Sequence, residues 1–166
     1  MNCYTETTRE EIYPMQRACT VNPCNLREDD YYQLQPTPNP QNILVVGGGL
    51  AGMEAAATLA RRNHQVTLCE QSHRLGGQFL VAAAEKEKAA YRTLIAYKQK
   101  ILENSGAKVL LNTSVDQNYI EHFQPDIVVL ATGAVPKTLP TNDLQQIQIV
   151  QGNDVLMEHV SVGENI

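Results

Sequence analysis

The sequence has no apolar run that approaches the length of a membrane span. The longest, Phe79 to Ala84, is short and rich in alanine. A signal-peptide core is missing too, since Met1 to Glu11 is polar and acidic. Basic clusters are also absent. Thirteen Lys and Arg stand against eighteen Asp and Glu, a net charge of −5, which speaks against the phosphate-backbone footprint of a nucleic-acid binder. His64, His73, His122 and His159 are scattered. They lack the His/Cys spacing of a zinc site and read as surface or turn residues. No G-x-S-x-G nucleophile elbow occurs, and no internal repeat. The four cysteines, Cys3, Cys19, Cys24 and Cys69, are irregularly spaced. In a reducing compartment they are thiols or metal ligands before they are disulfides. The expectation is a cytoplasmic protein with a small-molecule partner, no nucleic acid and no membrane. At 166 residues there is room for one domain and not comfortably for two.

Composition divides the chain into three parts. Residues 1–32 are polar, irregular and hold three of the four cysteines. Residues 33–42 have prolines at alternate positions, Pro36, Pro38 and Pro40, which disfavour helix and central strand and predict an extended linker. Residues 43–166 form the third part, and their pattern is different. Ile43-Leu44-Val45-Val46 is a continuous apolar run, as expected of a parallel strand buried on both faces. Leu50 to Arg62 reads as a helix with Leu50, Met53, Ala57 and Ala60 on one face, and Asn63 suits the left-handed position beyond its end. Gln65 to Cys69 reads as a second strand. Lys86 to Ser105 reads as a second helix, with Ala90, Leu94, Tyr97 and Ile101 on its stripe and Gly106 as its stop. Glu85 to Lys88 is its solvated start, and Tyr91 and Tyr97 are packing residues. Lys108 to Leu111 and Asp126 to Leu130 are third and fourth strands; after Gly133 the pattern turns polar. Alternating strands and helices predict an α/β fold, a Rossmann-type parallel sheet with flanking helices.

Gly47-Gly48-Gly49-Leu50-Ala51-Gly52 fits G-x-G-x-x-G between a buried strand and a helix start. Gly47 permits the tight turn, Gly49 lets the backbone approach a pyrophosphate, and Gly52 allows close packing of helix on strand. The first N–H groups of that helix have no helical acceptor and favour an anion. Glu70 ends the second strand at roughly the distance expected of the acid that takes the ribose hydroxyls. Its charge would repel a 2′-phosphate, so NADP is disfavoured here. The plain alternative is a glycine-rich turn beside an exposed Glu. Cys69, in a buried strand, reads as a small core residue.

Arg74-Leu75-Gly76-Gly77-Gln78 resembles the Gly-Gly segment of flavoproteins with two dinucleotide domains, and Ala131-Thr132-Gly133 resembles their second, ATG-type motif. The pair favours FAD over NAD. Cys19-Thr20-Val21-Asn22-Pro23, a connector and then the glycine fingerprint follow the order of iron–sulfur flavoenzymes of the 2,4-dienoyl-CoA reductase and trimethylamine dehydrogenase type. Asn63 to Leu68, Gly76 to Phe79 and Gly133 to Thr138 look similar as well. The likeness runs from about Cys19 to the end of the sequence.

That resemblance implies cofactor contacts at Gly47, Gly48, Gly49, Leu50, Ala51, Gly52, Glu70, Gln71, Arg74, Gly77, Gln78, Val115, Ala131, Thr132 and Gly133, with FAD (or ADP) as the ligand. It implies Cys19 as an iron–sulfur ligand, with Cys3 as a second. In such enzymes NADPH delivers a hydride to FAD, and electrons pass through the cluster to an FMN-bearing barrel that reduces the enoyl substrate. Here neither that barrel nor a second glycine fingerprint is present. The expectation is a truncated FAD-binding segment, inactive by itself as a reductase and prone to aggregate, whose FMN, cluster and NADPH belong to a longer parent. A non-catalytic ADP- or FAD-binding module and an inactive gene fragment are the alternatives.

Overall fold

A computed structural model describes residues 19, 21–25, 28–29, 34–137, 149–161 and 163. Most of the expected irregular segment 1–32, Cys3 included, lies outside the described residues.

Four strands form one parallel sheet: β1 (Asn42–Val46), β2 (Gln65–Cys69), β3 (Lys108–Leu110) and β4 (Ile127–Leu130), in the order β3-β2-β1-β4. The α/β, Rossmann-type expectation is met. Val46 pairs with Cys69 and with Leu130, and Cys69 pairs with Leu110. The carboxyl ends of all four strands therefore lie along one edge. The order reverses at β1, with β2 on one side and β4 on the other, and crevices for ligands open at such reversals.

β1 is apolar throughout its centre because it is covered on both faces; Ile43, Leu44 and Val45 are fully buried. Its first residue, Asn42, was expected in the linker. The Asn42 N–H donates to Asp126 Oδ2 at 2.7 Å, and the Asp126 N–H donates to the Asn42 carbonyl at 2.8 Å. This exchange sets the register of β4.

Helix α1 (Leu50–Arg61) lays Met53, Ala56 and Ala57 on the sheet, where they join Ile43, Val45, Val66, Leu68 and Leu102 in the core. Fully burying a side chain such as Met53 contributes about 1.5–3 kcal/mol. Asn63 takes the left-handed conformation, φ +72°, as its type suggests. A short helix α2 (Gln78–Ala82) and a single 3-10 turn at Lys86–Lys88 precede α3 (Ala89–Ser105), which ends at Gly106 with φ +84°. The sequence pattern had run one helix from Lys86.

The stripe on α3 also differs from expectation. Leu94, Ile95, Lys98 and Leu102 face inward, Ala90 is exposed, and Tyr97 is 56% exposed. The buried face is turned by about one residue from the expected one. Lys98 lies on that face because its Nζ is 2.7 Å from Glu54 Oε2 on α1. A lysine is buried only with a partner, and this one is far off in sequence. Tyr91 does pack, its ring centroid 4.9 Å from that of Phe79.

Two further helices follow α3, α4 (Gln117–Phe123) and α5 (Gly152–Leu156). Asp116 caps α4, its carboxylate accepting the Tyr119 N–H at 2.7 Å. Buried Cys69 donates its thiol proton to the Tyr119 hydroxyl at 3.5 Å, as suits a core residue. Contact with that thiol, then burial, pushes the Tyr119 phenol up to about 12. Among the described residues no helix is long and apolar enough to cross a membrane.

Candidate dinucleotide site

The turn after β1 could not be built with side chains. Gly47 has φ +108°, and a Cβ on it would stand 2.3 Å from the carbonyl oxygen of Ala131. A Cβ on Gly52 would stand 1.8 Å from the Gly47 carbonyl oxygen, so α1 rests on the turn itself. Gly49 is the opposite case. A Cβ there would meet no atom of the described residues within 4 Å. Gly49 opens α1 without a side-chain cap, so the first N–H groups of the helix look into open space at the carboxyl edge of the sheet. Gly47 and Gly52 are thus steric requirements of the turn, whereas Gly49 is not.

Backbone bonds tie the neighbouring segments to this turn. The Gly47 N–H donates to the Cys69 carbonyl and the Ala131 N–H to the Val46 carbonyl, each at 2.8 Å. The Gly76 N–H donates to the Gly48 carbonyl at 2.8 Å, and Gly49 and Gly76 form a parallel bridge. Gly77 follows so closely that a Cβ on it would be 3.1 Å from the Gly49 Cα. The Gln78 side-chain amide donates to the Ala134 carbonyl, joining α2 to the segment after β4.

Glu70 is only 8% exposed. Its Oε2 accepts the Gly48 N–H at 2.6 Å, and its Oε1 accepts the Ser72 N–H at 2.8 Å. Burial raises the pKa of this carboxyl. The hydrogen bonds from Ser72 and Gly48 outweigh that and hold it below its ordinary 4.5. An exposed Glu beside a turn is therefore not what the structure holds. The carboxylate straps the glycine turn to the end of β2, a role that spacing alone did not reveal. Each oxygen still has lone-pair capacity for a ligand hydroxyl.

The fold thus gathers Gly47, Gly48, Gly49, Leu50, Ala51, Gly52, Glu70, Gly77, Gln78, Ala131, Thr132 and Gly133 at one edge. Val115 is half-buried two residues beyond Thr113, whose N–H donates to the Glu70 carbonyl at 2.9 Å. Gln71 is exposed beside Glu70. Arg74 is exposed. It lines a cavity of about 350 Å³ with His73, Leu75, Gln99, Leu102 and Val109, none of them part of the glycine turn. Cys19 Sγ accepts the Asn22 N–H at 3.4 Å, and Cys24 is half-buried. Among the described residues no three His, Cys, Asp or Glu are grouped to hold a metal.

The family model for pyridine nucleotide-disulphide oxidoreductases matches residues 21–159. The chain belongs to that family. Its sheet is the FAD/NAD-binding Rossmann-type domain of these oxidoreductases. It is 38% identical over 149 residues to a cinnamate reductase of Clostridium sporogenes, a match covering 90% of this chain and 22% of that one. It is also 38% identical over 145 residues to an NADH oxidase of Thermoanaerobacter brockii, covering 86% and 22%. The structure of a 2-naphthoyl-CoA reductase superposes with a TM-score of 0.79 at 32% identity, over 89% of this chain and 22% of the other. These relatives bear out the likeness to flavoenzymes of the 2,4-dienoyl-CoA reductase type. The chain spans about a fifth of the length of each.

Proposed function

We propose that this chain is the FAD-binding part of an NAD(P)H-dependent flavin oxidoreductase, one that passes electrons from NADPH through FAD and an iron–sulfur cluster to FMN. The observation that carries the reading is the junction of Gly48 with Glu70 at 2.6 Å. It sets an anion-seeking helix start and a charged ribose acceptor side by side where the strand order reverses.

The residues present fit such a ligand. The pyrophosphate would lie against Gly49, where nothing of the described chain intrudes, and against the N–H groups of Leu50, Ala51 and Gly52. Glu70, with Gln71 and Val115 nearby, would take the adenosine side; Gly77, Gln78, Ala131, Thr132 and Gly133 would form the opposite wall. Arg74, exposed three residues before Gly77, is a further proposed contact. FAD when bound supplies an acceptor for a hydride and a donor of single electrons. This chain's contribution is to bind it, orient it and fix the charge around its ribose. Cys19 is the proposed cluster ligand, with Cys3 a candidate partner. The described residues give no complete ligand set. FMN, NADPH and the enoyl substrate are assigned to the remainder of a longer enzyme.

A non-catalytic module that holds ADP or FAD is the second reading. It is favoured because the contacts around Gly49 and Glu70 all address ribose and pyrophosphate, which ADP shares. Titrating the chain with FAD, ADP and NADPH tests both readings. FAD and ADP bind more tightly than NADPH, and the preference shrinks in Glu70→Ala. Tighter binding of NADPH refutes the ribose assignment, and binding of ADP and FAD with equal affinity favours the second reading.

A further inference from the structure

Helix α2 has five residues and buries none of their side chains. So short a helix does not hold its own geometry in water. Yet its start bears two of the proposed ligand contacts. Gly77 stands against Gly49, and Gln78 reaches the Ala134 carbonyl.

The far end of α2 is held by one side chain of α3. Arg92 Nη1 donates to the carbonyls of Ala83 at 2.5 Å and Glu85 at 3.0 Å, and Nη2 donates to that of Lys86 at 3.2 Å. Ala83 is the buried residue that closes α2, its N–H donating to the Phe79 carbonyl at 3.0 Å. Ala83 ends α2, where a carbonyl is left without a helical donor and a cation opposes its partial negative charge. The Glu85 and Lys86 carbonyls lie beyond it, in the turn that leads into α3, and the Glu85 carbonyl also accepts the Lys88 N–H at 3.1 Å. The guanidinium suits the task because its donors form a rigid planar fork that reaches several acceptors at once. Tyr91, the neighbour of Arg92, packs on Phe79 of the same short helix. α2 is thus a strut, joined to the loop after β4 by Gln78 and to α3 by Arg92.

We infer that Arg92 is a positioning residue of the dinucleotide site, a reading that rests on the proposed function. It sets the pitch of α2 and through it the places of Gly77 and Gln78 against Gly49 and the Ala131–Ala134 segment. It touches no ligand itself. Lysine at this position keeps the charge and loses the fork.

The test uses the full chain with Arg92→Ala and Arg92→Lys. Lys100→Ala, an exposed change on the same helix away from α2, is the control. FAD affinity is read by quenching of flavin fluorescence and the bound pose by circular dichroism in the flavin bands. Amide exchange without ligand reads the order of residues 76–88. Arg92→Ala weakens FAD binding about tenfold, the scale of one hydrogen bond to a charged group. It alters the flavin dichroism and speeds exchange in residues 76–88 while β1 and α1 stay protected. Arg92→Lys lies between, and added guanidinium ion partly restores Arg92→Ala. Should Arg92→Ala not fold, Arg92→Lys decides by the same three measurements. Wild-type affinity with unchanged exchange in residues 76–88 overturns the inference. So does faster exchange spread equally over β1 and α1, which marks Arg92 as a general stabiliser. If the wild-type chain takes neither FAD nor ADP, the proposed function falls, while the exchange data still decide whether Arg92 sets α2.

Discussion

β1 and β4 are adjacent strands of nearly the same composition. Ile43-Leu44-Val45-Val46 pairs residue for residue with Ile127-Val128-Val129-Leu130. Each is followed by a glycine-containing turn, and the two turns touch where Gly47 meets Ala131. Their environments are unlike. The centre of β1 is fully buried, whereas Leu130 is 74% exposed and Ile127 41%. β1 has β2 on its other side and α1 across its face; β4 pairs with β1 alone among the described strands. The contrast shows that apolar character prepares a strand for burial, while its place in the sheet decides whether burial happens. It also divides the site. The Gly47–Glu70 half is built on the core, and the Ala131–Ala134 half stands on an open edge, tied down by the Ala131 N–H and by Gln78.

The contrast can be broken at several points. The largest effect belongs to Gly52→Ala, which would place a methyl 1.8 Å from the Gly47 carbonyl oxygen. A loss of about 3 kcal/mol is expected, the upper end for overpacking, read by denaturant unfolding; a change below about 1 kcal/mol would mean that α1 does not rest on the turn. Gly49→Val separates binding from folding. Its side chain enters open space, so stability changes little while FAD and ADP binding is lost, and a purified variant that still carries FAD would refute the cradle.

Glu70→Gln is next, with an expected loss of about 1.5 kcal/mol near neutral pH, since a charge-assisted bond becomes a neutral one. The carboxyl is held below 4.5 in the folded chain. Its stabilisation is therefore complete above 4.5 and lost as pH falls through the lower folded value. The gap between wild type and variant should close over that acid range; a gap independent of pH would show that the charge is not what straps the turn. The smallest effect belongs to Leu130→Gln on the open edge, within about 0.5 kcal/mol as for other exposed positions. A loss beyond about 1 kcal/mol would place another part of the protein over β4.

What was legible in the sequence is what neighbours along the chain decide. The glycine turn, the helix that follows it and the acid at the end of β2 lie within one βαβ stretch, and turn chemistry and hydrophobic period report on such local events. Asn63 and Gly106 were legible as helix ends for the same reason. α2 was not, because five residues without a buried side chain leave no period to read. Asp116, three residues ahead of Tyr119, was a capping signal that could have announced α4. Arg74 read as part of the glycine site; it is exposed and borders a concavity with His73, Leu75 and Gln99. Among the described residues no three His, Cys, Asp or Glu are grouped to hold a metal, so the cluster reading of Cys19 is not decided by them.

By itself, then, the sequence determined the parallel α/β plan, the strand–glycine turn–helix unit and the choice of Glu70 as the acid beside it. Only the tertiary structure decided which of two like strands is buried and that Glu70 straps Gly48. It alone turned α3 until Lys98 met Glu54, and closed Arg92 on the end of α2. The physical reason is that torsional preference and hydrophobic period act between near neighbours. Burial, ion pairing and capping by a distant side chain need groups many residues apart, whose meeting depends on how the elements pack.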